Sequence, residues 1–190
     1  MLPTQRGCLV AEFRLETDRL VLRDWREFDL APFAKMSADP AVMATLGPVM
    51  TSMQATALIE ELMTVRKNLG HTFWALERLE DRQFLGWCGL IRGDVEVISG
   101  QLEIGWRLAS DSWGKGYARE AAQASLDWAF ATLSDDRVWA ITSAGNSRSW
   151  GLMERLGMMR HPELDFDHPD VADGSPLKPH VTYSIAKSKG

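Results

Sequence analysis

The residues with the most chemical content lie at 113–118, Trp113-Gly114-Lys115-Gly116-Tyr117-Ala118. Two glycines in a turn just before a long amphipathic segment leave several backbone N–H groups unpaired at a helix N-terminus, where the helix dipole favours negative charge. The chemistry on offer is anion binding, with phosphate as the natural guest. The alternative is an ordinary helix start in which the glycines serve only the turn. Other chemistry is thinner. Asp165, Asp167 and His168 offer a single histidine in a loop, which is not a ligand set, so no metal site is expected. Cys8 and Cys88 have no partner spacing that suggests a metal site or a disulfide framework and are read as reduced bystanders.

The elements that must position these residues follow from periodicity. Residues 15–23 alternate as one strand with Leu20 and Leu22 on one face. Two short helices are expected at 28–36 and 40–46, the second opened by Asp39-Pro40, and a longer one at 51–69 ended by Gly70. Strands at 72–79, 83–91 and 100–108 form an antiparallel meander. In the last of these Ile104, Trp106 and Leu108 share one face, and Glu103, Gly105 and Arg107 the other. The apolar positions Ala118, Ala122, Leu126, Ala129, Phe130 and Leu133 predict a helix over 116–133. A strand at 137–143, a helix at 146–156 capped by Asn146 and stopped by Gly157, and a strand at 180–186 complete the chain. Residues 162–179 read as a proline- and aspartate-rich loop. The fold class is α+β, a mixed and mostly antiparallel central sheet with helices on both faces.

Composition bounds the function. The chain has 190 residues, enough for one domain with a proper core, read as an extension at 1–11 and a single domain at 12–190. The net charge of -5 argues against a general nucleic-acid binder. Apolar runs fall far short of the roughly 20 residues of a membrane span, and residues 1–14 lack the apolar core of a signal peptide, so a cytoplasmic protein is expected. Most of the eight tryptophans are expected in core or pocket wall, and they identify no ligand.

Taken in order, the strand, Trp-Gly-Lys-Gly-Tyr-Ala, helix, strand, Asn146-Ser147-Arg148-Ser149, helix and Glu154-Arg155-Leu156-Gly157-Met158 resemble the GNAT family of acyl-CoA N-acyltransferases. Glu16-Thr17-Asp18-Arg19-Leu20-Val21-Leu22-Arg23 and Glu103-Ile104-Gly105-Trp106-Arg107-Leu108 are similar to the branch containing the ribosomal-protein N-terminal acetyltransferases. Gly116 and Ala118 fill the last slots of the family's pyrophosphate loop, and Trp113 stands in its Gln/Arg slot. The resemblance implies that the N–H groups of Gly114, Lys115, Gly116, Tyr117 and Ala118 cradle the pyrophosphate of acetyl-CoA, with Lys115 either reaching a phosphate or staying in solvent. It also implies that the strand of Ile104, Trp106 and Leu108 splays from its neighbour. Its backbone then pairs with the pantetheine arm, and the N–H near Leu108 polarises the thioester.

The same resemblance suggests catalytic roles. Glu103 is the candidate general base, since an ammonium acceptor must lose a proton before it attacks; the bland alternative is a cross-strand surface pair. Ser149 could protonate the leaving thiolate or bond local backbone as a first-turn serine. Asn146 caps its helix and could also touch the cofactor arm. Many family members carry a tyrosine acid where this chain has Met153, and neither Tyr117 nor Tyr183 replaces it. The expected activity is direct transfer of acetyl, in a ternary complex, to a primary amine, either a protein N-terminus or a small molecule. The rival is a non-catalytic acyl-CoA-binding or regulatory module. Glu163, Asp165, Asp167, Asp170 and Asp173 either line a site for a cationic amine or are solvated, and His180 either faces the acceptor or is a core or edge residue. No membrane or nucleic-acid partner is expected, and a monomer or homodimer is.

Overall fold

Most element boundaries have a local chemical cause. The computed structural model describes residues 12–188; Cys8 and the expected extension at 1–11 lie outside them. Helix α1 spans Leu30–Ser37. Helix α2 (Pro40–Met43) begins where Asp39 accepts a hydrogen bond from the Ala41 N–H. Helix α3 (Ser52–Leu69) opens with a capping box between Thr51 and Gln54 and stops at Gly70, whose φ of 78° is open to glycine at little cost. Helix α4 covers Tyr117–Thr132 and α5 covers Ser147–Arg155.

The expected strand at 15–23 is two strands. β1 (Arg14–Glu16) and β2 (Leu20–Arg23) pair antiparallel with Leu15 opposite Leu22. Between them the Thr17 N–H donates to the Leu20 carbonyl at 2.9 Å, and the Leu20 N–H donates to the Thr17 hydroxyl at 3.0 Å. The apolar positions change phase across this turn, from Leu15 to Leu20 and Leu22, which a single strand does not allow. The remaining strands are β3 (Phe73–Arg78), β4 (Phe84–Arg92), β5 (Leu102–Leu108), β6 (Arg137–Ser143), β7 (Met159–Arg160), β8 (Phe166–Asp167) and β9 (Pro179–Ala186). β7 and β8 were not expected, and β8 sits inside the segment read as loop; two-residue strands carry no periodicity to detect.

The sheet runs β1-β2-β3-β4-β5-β6-β9-β7, with β8 also on β9, and is antiparallel except where β5 meets β6. Helices cover both faces. On one, Phe33 and Met36 of α1 and Ile59 and Leu62 of α3 pack with Trp25, Ala75 and Trp87. On the other, Ala121, Ala122 and Leu126 of α4 and Leu152 and Met153 of α5 pack on Leu76, Leu90, Ile104 and Ala140.

One ionic cluster is sealed inside this frame. The Arg23 guanidinium, 1% exposed, donates two bonds to Asp29 at 2.7 and 2.9 Å and one to Glu77 at 2.9 Å. Asp29 also accepts from the Arg26 N–H, so the cluster pins the entry of α1 to strands β2 and β3. Arg23→Met strands two buried carboxylates, and removal of one partner of a buried ion pair typically costs about 3–5 kcal/mol. A loss of that size in unfolding free energy is expected from urea denaturation.

Candidate active site

The site is built around a strand pair that barely exists. β5 and β6 run parallel in register at only one position, Glu103 opposite Trp139, and diverge beyond it. The Ala109 N–H donates to the Leu85 carbonyl and the Gly93 N–H to the Gln101 carbonyl, which fixes the alternation of the β4–β5 ladder. By that alternation Trp106 and Leu108 turn their backbone groups away from β4, into the gap. The Leu108 carbonyl takes the Trp113 indole N–H at 2.9 Å, leaving the Leu108 N–H as a donor in the cleft. The side chains of Ile104 and Leu108, 2% and 5% exposed, are buried in the α4 core and Trp106 is half-buried, so this stretch meets a ligand chiefly through its backbone.

At the end of β5 the chain enters the two-glycine loop. Gly114 and Gly116 have φ of 73° and 82°, the left-handed region, and a Cβ on Gly114 would meet nothing within 4 Å. Backbone conformation rather than crowding therefore requires glycine there. Gly116 caps α4 without a side-chain bond, and among the described residues the N–H groups of Gly114, Lys115, Gly116, Tyr117 and Ala118 have no acceptor. Lys115 is exposed, while Tyr117 is buried with its hydroxyl 3.5 Å from Arg78.

Arg19, which the sequence reading left without a role, braces this loop from behind. It donates to the Lys115 carbonyl at 3.0 Å, pairs with Glu120 at 2.6 Å and lies 4.8 Å from the centre of the Tyr117 ring. With Gly116, Arg119, Glu120 and Gln123 it lines a cavity of about 390 Å³. No local pattern could reveal a contact between residues 96 positions apart.

The start of α5 meets the same loop, with the Arg148 guanidinium 4.6 Å from the Trp113 ring centre. Asn146 is a helix cap: its Oδ1 accepts from the Ser149 N–H at 3.3 Å and its Nδ2 donates to the Thr142 hydroxyl at 3.0 Å. The Ser149 hydroxyl, in a half-buried residue of the first turn, has no partner among the described residues. Met153 is core at 1% exposure, and the Tyr183 hydroxyl is 3.3 Å from Glu154. Cys88 is fully buried in β4, and burial pushes its thiol up to about 12, far from a reactive thiolate.

Glu103, Gly105 and Arg107 project to the opposite face, toward α1–α3. Glu103 stands at the last paired position before the gap. Solvent reaches part of it, yet the surrounding protein and, secondarily, Asp94 push its carboxyl up to about 8. It forms no hydrogen bond or ion pair with described residues, so it is not the cross-strand pair that was the alternative.

On this face lies a cavity of about 490 Å³, walled by residues 45–48 after α2, by Ile141 and Ser143 of β6, and by Asp170 and His180. His180 therefore does face a cavity. Burial, and the His168 ring 4.8 Å away, lower its pKa, while its Nδ1 bonds the Lys178 carbonyl. The acidic segment mostly faces elsewhere: Asp165 pairs with Arg160, Asp173 with Lys178 and Glu163 with His161, leaving Asp170 as its acid on the cavity wall. No cluster of histidine, cysteine and acidic residues suited to a metal occurs among the described residues. No helix among them is long and apolar enough to cross a membrane.

Comparison with known proteins agrees with this geometry. Residues 19–159 match the GNAT acetyltransferase domain. The chain is 32% identical over 149 residues to the uncharacterized protein YkkB of Bacillus subtilis strain 168, covering 78% of this chain and 86% of that one. It is 27% identical over 191 residues to an FsC-acetyl coenzyme A-N(2)-transacetylase of Aspergillus fumigatus, covering 94% and 78%. An acetyltransferase structure from Agrobacterium tumefaciens superposes with a TM-score of 0.75 at 23% identity, over 97% of this chain and 100% of the other. RimL, a ribosomal L7/L12 alpha-N-protein acetyltransferase solved with coenzyme A, gives 0.74 at 13% identity, over 92% and 98%. The chain belongs to the GNAT acetyltransferase family and is an acetyl-CoA-dependent N-acyltransferase.

Proposed function

We propose that the enzyme transfers acetyl directly to a primary amine in a ternary complex, with Glu103 as general base. The observation that carries this reading is the Glu103 carboxyl, unpaired and held near 8, at the point where β5 and β6 part. Similarity to an N(2)-transacetylase and to an alpha-N-protein acetyltransferase supports a nitrogen acceptor, either a small molecule or a protein N-terminus.

Acetyl-CoA supplies an acetyl group already activated as a thioester. The unpaired N–H groups from Gly114 to Ala118 hold its pyrophosphate, and the Trp106 and Leu108 backbone receives its arm as an added strand would be received. The Leu108 N–H donates to the thioester oxygen as negative charge develops there. Glu103 takes the ammonium proton, directly or through one water, and frees the nitrogen lone pair that forms the new C–N bond. As the C–S bond breaks, the new amide nitrogen gives up its second proton, and the Ser149 hydroxyl relays it to the departing sulfur, losing one proton as it gains the other. With Met153 in the core, no tyrosine does this work; a thiol pKa of about 8.5 makes the unassisted thiolate a tolerable leaving group. The burial of Cys88, which keeps it from carrying an acyl group, supports direct transfer.

Four outcomes are expected. Glu103 is protonated below its raised pKa and competent above it, so kcat at saturating amine should rise with pH through about 8. Glu103→Gln should lower kcat by about 10²–10³-fold and abolish that limb, with the acetyl-CoA dissociation constant little changed. Gly116→Val forces a branched side chain into a left-handed backbone, and calorimetric titration should show acetyl-CoA affinity reduced by tenfold or more. Initial-velocity plots against both substrates should intersect; parallel lines would mean a covalent acyl-enzyme.

A further inference from the structure

One cation on the α1–α3 face of β5 has no counter-charge among the described residues. Arg107 lies four residues beyond Glu103 on the same strand and face, about 13 Å along β5 at the usual rise. Its Nε is buried without an acceptor, and the contact of its guanidinium is the Met50 thioether sulfur at 4.0 Å. No carboxylate of the described residues pairs with it, and burial alone depresses its pKa to about 10. A half-buried guanidinium whose Nε is sealed from solvent in that condition is held at a cost unless an anion completes it.

A second orphan donor stands beside it. Trp87 of β4 is the direct cross-strand partner of Arg107, its ring lies 5.4 Å beneath the guanidinium, and its indole Nε1 is also buried without an acceptor. Phe73 stacks on Trp87 with ring centres 4.3 Å apart. Between Arg107 and Glu103 sits Gly105, where a Cβ would come within 2.9 Å of Phe73, so this stretch of the face is bare backbone and aromatic ring. The connection between α2 and α3 joins this region to the cavity: residues 45–48 wall the cavity, the Thr45 carbonyl takes the Ser143 hydroxyl at 2.9 Å, and Met50 reaches Arg107.

We propose that Arg107 and the Trp87 indole N–H form a carboxylate subsite of the acceptor pocket, and that the acceptor is an amine carrying a carboxylate several bonds from the nitrogen. The nitrogen meets Glu103 and the carboxylate meets the guanidinium, whose planar donor fork suits it. This rests on the assignment of Glu103 as the base that faces the acceptor.

The test is a series of ω-amino carboxylates of increasing chain length, each with its matching carboxamide, assayed by thiol release alongside a panel of amines without carboxylates and of N-terminal peptides. At the preferred length, kcat/KM for the carboxylate should exceed that of the carboxamide by at least tenfold, about 1.4 kcal/mol, and the difference should lie mainly in KM. Arg107→Gln should bring the ratio to about one, Arg107→Lys should restore part of it, and the acetyl-CoA dissociation constant should stay within twofold in both. The ratio in the unaltered enzyme decides the matter even if the variants fold poorly. A ratio near one, or one that survives Arg107→Gln, overturns the subsite. Turnover of other amines with both members of every pair silent overturns it too, and leaves the acetyltransferase mechanism standing. Acetyl-CoA binding without thiol release for any amine overturns the mechanism itself.

Discussion

A parallel strand pair that lasts one residue governs this molecule. Had β5 and β6 remained in register beyond Glu103 and Trp139, the backbone groups of Trp106 and Leu108 would be consumed by the sheet and no cleft would exist. The two strands are held apart by what lies beyond their ends. After Leu108 the chain leaves the sheet through a short 3-10 turn at Ser110–Ser112, and the Trp113 indole takes the Leu108 carbonyl that a continuing ladder would have used. After Ser143 the chain turns into the Asn146 cap of α5, and the Ser143 hydroxyl is tied across to the Thr45 carbonyl. Both departures place helix N-termini next to the gap, so the feature that opens the sheet also delivers anion-binding N–H groups to it.

Period-2 geometry then divides the work of β5. The even residues Ile104 and Leu108 bury their side chains against α4 and so fix the height of the strand, while the odd residues Glu103 and Arg107 carry the ionisable groups to the other face. A one-residue slip would exchange the two sets and put both charges into the aliphatic core. The α4 packing is thus what positions Glu103, although no atom of α4 is required for proton transfer.

Much of this was legible because it rests on local rules. Helices α3, α4 and α5, the meander of β3, β4 and β5 and the α+β class all follow from periodicity and caps, and the unpaired N–H groups from Gly114 to Ala118 follow from two glycines before an apolar repeat. Legibility failed wherever a contact was non-local or an element too short for a period. The β1–β2 turn is held by Thr17, which looked like one more strand residue. The acids at 162–179 read as either a lining or a solvated loop, and three of them are bonded to Arg160, His161 and Lys178, partners that a net-charge argument cannot see. Arg107 drew no attention in the sequence because arginine on an alternating strand is ordinary; what sets it apart is that no acid among the described residues pairs with it.

That absence gains its meaning from Arg23 on the same sheet. Arg23 is fully buried and Arg107 partly so, with its Nε sealed from solvent, but Arg23 has its donors matched to Asp29 and Glu77 and serves to lock α1 to the sheet, as a fully satisfied network can. Arg107 meets a thioether and an indole ring, and three of the five buried unpartnered polar atoms among the described residues, Nε of Arg107 and Nε1 of Trp87 and Trp139, belong to the strands around the gap. The fold therefore can satisfy a buried arginine and does so away from the cleft. Where unsatisfied donors gather on the strands that also carry a carboxyl raised to about 8, the missing partners are best sought in the molecule the enzyme takes up.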